Sequence, residues 1–125
     1  MKSSLILILN SFIIFHCFSQ SNKSFQFPLN KNKQNFLSGT MGELRGDHFH
    51  MGIDIKTLGE TGWPVYAIDD GHISRMVANF NGYGKALYLT LNDSHTAVYA
   101  HLEEFTFQLE NILLTLQSKN NSYMV

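Results

Sequence analysis

Between residues 65 and 100 short apolar runs recur about every ten residues, each closed by a cluster of Gly, Asn or Asp. This rhythm restricts the chain more than any other feature, because runs of five or six residues match strands and fall short of ordinary helices. Val65-Tyr-Ala-Ile68 leads into Asp69-Asp-Gly71, and His72-Ile-Ser-Arg-Met-Val77 into Asn79-Phe-Asn-Gly-Tyr-Gly84. Ala86-Leu-Tyr-Leu-Thr-Leu91 then turns at Asn92-Asp-Ser94 into Thr96-Ala-Val-Tyr-Ala100. Strands separated by such turns predict an antiparallel β core. Beyond them the spacing changes: Phe105, Leu109, Ile112, Leu113 and Leu116 share one face of a helix, predicted over residues 103–117. The expected fold is mainly β with one C-terminal helix, and the mostly polar residues 118–125 are expected to fray.

The amino-terminal part has a different character. Lys2 is followed by an apolar run over residues 5–18, broken only by Asn10, Ser11 and His16, and by Cys17-Phe-Ser19. This is the composition of a secretory signal, expected over residues 1–20. About 14 apolar residues are too few for a spanning helix, which needs roughly 20, so no stable membrane anchor is expected after cleavage. His16 is a poor neighbour for a lipid anchor on Cys17. Residues 21–36 are polar around Pro28 and read as a leading segment, loosely held, ahead of a domain over 37–125.

Cleavage would remove Lys2 from nine basic residues and leave eight against ten acidic ones, a net charge of −2. Nothing basic is concentrated enough for a nucleic-acid partner. It would also remove Cys17, the single cysteine. A metal would then have to be held by His, Asp or Glu, and disulfides could not support the fold.

Residues 45–57 concentrate that chemistry, with His48, His50, Asp47 and Asp54. His50 and Asp54 offer a nitrogen and an oxygen donor to a divalent metal such as zinc. In an extended strand they share a face but lie about 13 Å apart, at roughly 3.3 Å per residue. Gly52 between them is where a bend or bulge would bring the two together. His48 has the same strand parity, so a local site of His48, His50 and Asp54 is a second possibility, one that requires a severe bend. His101 closes the run Thr96 to Ala100, where the sheet ends and a cleft could open. His72 and His95 are expected on the sheet surface and in a turn.

Taken together, His50-Met-Gly-Ile-Asp54, Pro64-Val-Tyr-Ala67 with Asp70-Gly71, Gly82-Tyr-Gly84 and Tyr99-Ala-His-Leu102 resemble the M23 zinc metallopeptidases, the lysostaphin and LytM-type peptidoglycan endopeptidases. The resemblance covers about residues 38–102. It implies the LytM-type antiparallel sheet, His50 and Asp54 as zinc ligands, and His101 as a catalytic histidine. It implies as substrates the peptide cross-bridges of bacterial peptidoglycan, and so a periplasmic or cell-envelope location. It gives His48 no zinc role.

The family's closing His-x-His, which carries the third zinc ligand and a second catalytic histidine, has no counterpart after His101. The sequence is therefore expected to represent the front part of a larger endopeptidase. Whether it is an enzyme as it stands is left open, and the alternative is a non-catalytic peptidoglycan-binding or regulatory module. Residues 65–91 also resemble, loosely, the barrels that carry biotin or lipoyl groups, but no lysine stands at a hairpin tip.

Overall fold

The computed structural model describes residues 23–29, 34–80 and 82–125; the expected signal over residues 1–20 lies outside them. Among the described residues five strands and one helix follow in order: β1 (Leu37–Gly39), β2 (Asp54–Ile55), β3 (Gly71–Ala78), β4 (Lys85–Leu91), β5 (Thr96–Leu102) and α1 (Phe107–Asn120). β1 and β2 form one antiparallel pair, and β3-β4-β5 a three-stranded antiparallel meander. The described fold is mainly β with a C-terminal helix, as the strand rhythm and the helical spacing after it imply.

The turn chemistry explains the meander. Between β3 and β4, Gly82 and Gly84 both adopt positive φ, and Asn79 N–H donates to the Gly84 carbonyl at 3.2 Å. Between β4 and β5, Asp93 accepts the His95 N–H at 3.1 Å while Ser94 takes φ 71°. The register slips between Ile73 and Arg75, where β3 carries an extra residue, and opposite Lys85 to Leu87, where the extra residue lies in β5 between Tyr99 and Leu102; both interrupt the simple in-out alternation.

Residues 65–68 do not become the strand their composition predicts. They run beside the leading segment instead: Gln26 N–H donates to the Ile68 carbonyl and Tyr66 N–H to the Pro28 carbonyl, each at 2.8 Å. Pro28 has no N–H to return, so the contact cannot extend as a ladder. The described part of the leading segment is thus docked and not loose. Lys23 Nζ bridges Asp69 at 2.6 Å and Asp93 at 2.7 Å, and Leu29 is buried.

The helix also departs from its predicted bounds. Thr106 holds an extended backbone, φ −60° and ψ 154°, so helical geometry starts at Phe107 and not at 103. Phe105 belongs to the apolar face without belonging to the helix. It packs with Met76 of β3 and Leu113 of α1, flanked by Ala78, Leu87, Leu102, Leu109 and Val125. The helix ends where Asn121 turns left-handed and donates its N–H to the Gln117 carbonyl.

Residues 123–125 do not fray. Val125 exchanges two backbone hydrogen bonds with Met76, at 2.5 and 3.0 Å, and Ala78 N–H donates to the Tyr123 carbonyl at 3.2 Å. Met124 faces Val77 in an antiparallel bridge. α1 therefore carries the chain from β5 across to the far edge of the sheet, at β3. No helix among the described residues is long and apolar enough to cross a membrane.

Candidate metal centre

A tight hairpin prepares the site. Gly42 N–H donates to the His50 carbonyl at 2.7 Å, His50 N–H to Glu43 at 2.8 Å and Arg45 N–H to His48 at 2.8 Å, with Leu44 bridged to Phe49. This folds residues 42–50 back on themselves, places His50 beside Thr40, and returns Arg45 toward β2. The chain then bends at Gly52 and enters β2, where Asp54 stands opposite Gly39 of β1.

The bend achieves what an extended strand could not. His50 Nε2 lies 3.2 Å from Asp54 Oδ1, and His50 Nδ1 lies 3.0 Å from the Thr40 carbonyl. A carbonyl only accepts, so Nδ1 carries the proton and donates it there. That bond fixes the ring and turns Nε2 toward the carboxylate. Gly52 bends without a positive φ, and a Cβ on it would come no closer than 3.8 Å to His50 Nε2. Neither space nor a left-handed backbone therefore requires a glycine there.

Two donors now face each other, and a shared cation or a second ring proton satisfies both. Tetrahedral zinc at about 2.0–2.1 Å from each donor sets neighbouring donors about 3.3 Å apart. The observed 3.2 Å fits two corners of such a site. The His50 side chain is 15% exposed and that of Asp54 38%, so the pair is open on the carboxylate side.

Arg45 approaches that open side, its Nη2 donating to Asp54 Oδ2 and standing 3.5 Å from Glu43 Oε2. Its hydrogen bond is the main cause of an Asp54 carboxyl held below the usual range; desolvation opposes the shift, and charge on Arg45, His50 and His101 adds to it. Gly39 makes the arrangement possible, since a Cβ there would overlap both Asp54 Oδ2 and Arg45 Nη2.

His101 lies inside β5 and not beyond its end, with φ 56°. Its N–H donates to the Tyr83 carbonyl at 3.0 Å, and its exposed ring meets the Tyr83 ring edge-on, centroids 6.2 Å apart. The β3–β4 turn therefore sets the orientation of His101. Its charge reaches Asp54 electrostatically, but it is not gathered with His50 and Asp54 into a shared ligand set.

The other histidines separate from the pair. His48 turns to Asp47, Nδ1 to Oδ1 2.5 Å, with 61% of its side chain exposed, so the hairpin does not join it to His50. His72 is exposed on β3, and His95 is 79% exposed beside Asp93 at 3.1 Å. Among the described residues no group of three or more His, Cys, Asp or Glu side chains converges as a metal cage.

Arg45, Gly39, Thr40 and Tyr83 belong to the site and escape a reading of ligand spacing. Arg45 and Asp54 are nine residues apart and meet only through the hairpin. Thr40 acts through its carbonyl, which carries no sequence signature.

Comparison with protein families finds that the model described as Peptidase family M23 matches residues 48–113, just over half of the chain. Comparison with curated proteins and with solved structures gives no match.

Proposed function

Because this chain belongs to peptidase family M23, we propose that it is the catalytic-domain portion of an exported zinc endopeptidase acting on the peptide cross-bridges of bacterial peptidoglycan. The observation that carries the proposal is the His50–Asp54 pair, its donor atoms 3.2 Å apart and its ring anchored through Nδ1. These two residues would hold zinc, which when bound supplies Lewis acidity toward a peptide carbonyl.

The remaining chemistry belongs to this chain's own groups. His101 offers an exposed imidazole whose backbone and ring are both held by Tyr83. An imidazole can accept a proton at one ring nitrogen and donate one from the other, which suits the movement of a proton to or from a peptide being cleaved. The Thr40 carbonyl keeps the His50 ring from rotating out of place. Export is supported by the amino-terminal apolar run over residues 5–18.

The test is digestion of purified peptidoglycan by the 125-residue chain, with zinc, with chelator and after zinc is restored. Release of cross-bridge fragments that follows zinc, and that His50→Ala, Asp54→Ala and His101→Ala each abolish, would support the enzymatic reading for this chain. Wall binding without release at saturating zinc would assign the non-catalytic role instead. Detection of the chain in the cytoplasm after cell fractionation would contradict export.

A further inference from the structure

We propose that Arg45 is a positioning residue for the metal centre, one that makes Asp54 a single-oxygen ligand by occupying the carboxylate's other oxygen. This rests on the reading of His50 and Asp54 as zinc donors. A guanidinium beside a ligand carboxylate can act in two opposite ways: it can replace the metal as counter-ion, or it can orient the carboxylate for the metal.

The division of oxygens selects the second. Arg45 takes Asp54 Oδ2, while Oδ1 is left 3.2 Å from His50 Nε2. The two contacts use different atoms, so the guanidinium does not stand between the donors. A carboxylate with both oxygens free could rotate about its terminal bond or bind in a two-oxygen mode; a charge-assisted hydrogen bond on Oδ2 suppresses both.

Charge repulsion between Arg45 and a metal ion is the opposing effect. Both Arg45 and Asp54 are 38% exposed, so water screens that repulsion. Orientation through a direct contact is not screened in the same way. Arg45 is itself set in place from three sides. Its N–H is bound to His48 within the hairpin, Glu43 stands 3.5 Å from its guanidinium, and the space it fills beside Asp54 exists because residue 39 has no side chain.

The experiment is calorimetric titration of the full chain with zinc alone. Wild type is compared with Arg45→Ala, Arg45→Lys, Gly39→Ala and Asp54→Ala, each also melted without zinc to establish that it is folded. Asp54→Ala should remove the binding. Arg45→Ala should weaken it about 10–100-fold, the usual effect of losing a partner that orients a ligand. Arg45→Lys should recover part of the loss, because an ammonium can still reach one oxygen without the planar fork. Gly39→Ala keeps both charges but crowds them, so it should also weaken binding. This gives an independent reading if Arg45→Ala does not fold. Zinc binding by Arg45→Ala that equals or exceeds wild type, with Asp54→Ala still inactive in binding, would overturn the role of Arg45 and leave the His50–Asp54 pair standing. Wild type and Asp54→Ala binding zinc alike would remove the pair, and Arg45 with it.

Discussion

Leu113→Ala is the substitution through which the packing of the helix on the sheet is best measured. Leu113 is 1% exposed and sits between Met76 and Phe105, so truncation removes three buried carbon groups. At about 0.8 kcal/mol each the transfer loss is about 2.4 kcal/mol, and the void adds to it within the roughly 2–5 kcal/mol span of such changes. The neighbours Leu102, Leu109 and Val125 are only partly buried and can close on the void, which keeps the total at the lower end, about 2.5–3 kcal/mol. A domain of this size has a stability of about 5–15 kcal/mol, so the loss is a large share and should lower the melting temperature by about 10 °C or more. Leu114, next in sequence and 56% exposed, is the control. Its truncation should cost about 0.5 kcal/mol or less. Urea unfolding followed by circular dichroism, with both variants sharing the wild-type slope, measures the difference. Equal effects at the two positions would show that α1 does not dock through Leu113.

The leading segment should respond to pH through its ion pairs. Asp69 and Asp93 are held below the usual carboxylate range, chiefly by hydrogen bonds from Lys23, and Lys23 is raised by the same partners. Lowered carboxylates contribute above their unfolded value of about 4 and lose that contribution as pH falls through the folded values; the raised lysine contributes below about 10.5 and loses it on further alkalinisation. The Gln26 amide resonance should therefore hold its position from about pH 5 to 9 and move on stronger acidification, whereas Lys23→Ala should displace it already at neutral pH. An unmoved resonance in that variant would show that Lys23 does not hold the leading segment. Leu58 is 73% exposed with φ 58°, so Leu58→Gly relieves a left-handed backbone without loss of packing. After the entropy that glycine adds to the unfolded chain, a gain of about 0.5 kcal/mol in urea unfolding is expected, and a loss would argue against positive φ at that position.

What the sequence made legible was local. β3, β4 and β5 follow from short apolar runs closed by Gly, Asn and Asp, and each of those signals acts within a few residues. The approach of His50 to Asp54 was equally readable, because a bend at Gly52 is a local event. Residues 65–68 carried a strand's composition, but whether they join a ladder depends on their partner, and Pro28 cannot donate. Phe105 followed the helical period although Thr106 is extended, since periodicity reports which residues share a face and not where helical dihedrals begin. The pairing of residues 123–125 with β3 and the contact of Arg45 with Asp54 are long-range outcomes of the fold. Nothing in either segment alone announces them.

The Gly39–Asp54 register has a consequence for how the smaller sheet finds its alignment. β1 and β2 have three and two residues, too few for backbone bonding to distinguish strongly among neighbouring alignments. Shifting the pairing by one residue would set Ser38 or Thr40 against Asp54, and each brings a Cβ to the place where only glycine leaves room for the carboxylate and its guanidinium. The same pair of charges that prepares the metal centre thereby serves as a gauge of correct assembly: a misaligned ladder must displace the carboxylate or its guanidinium, and the aligned one keeps both in place.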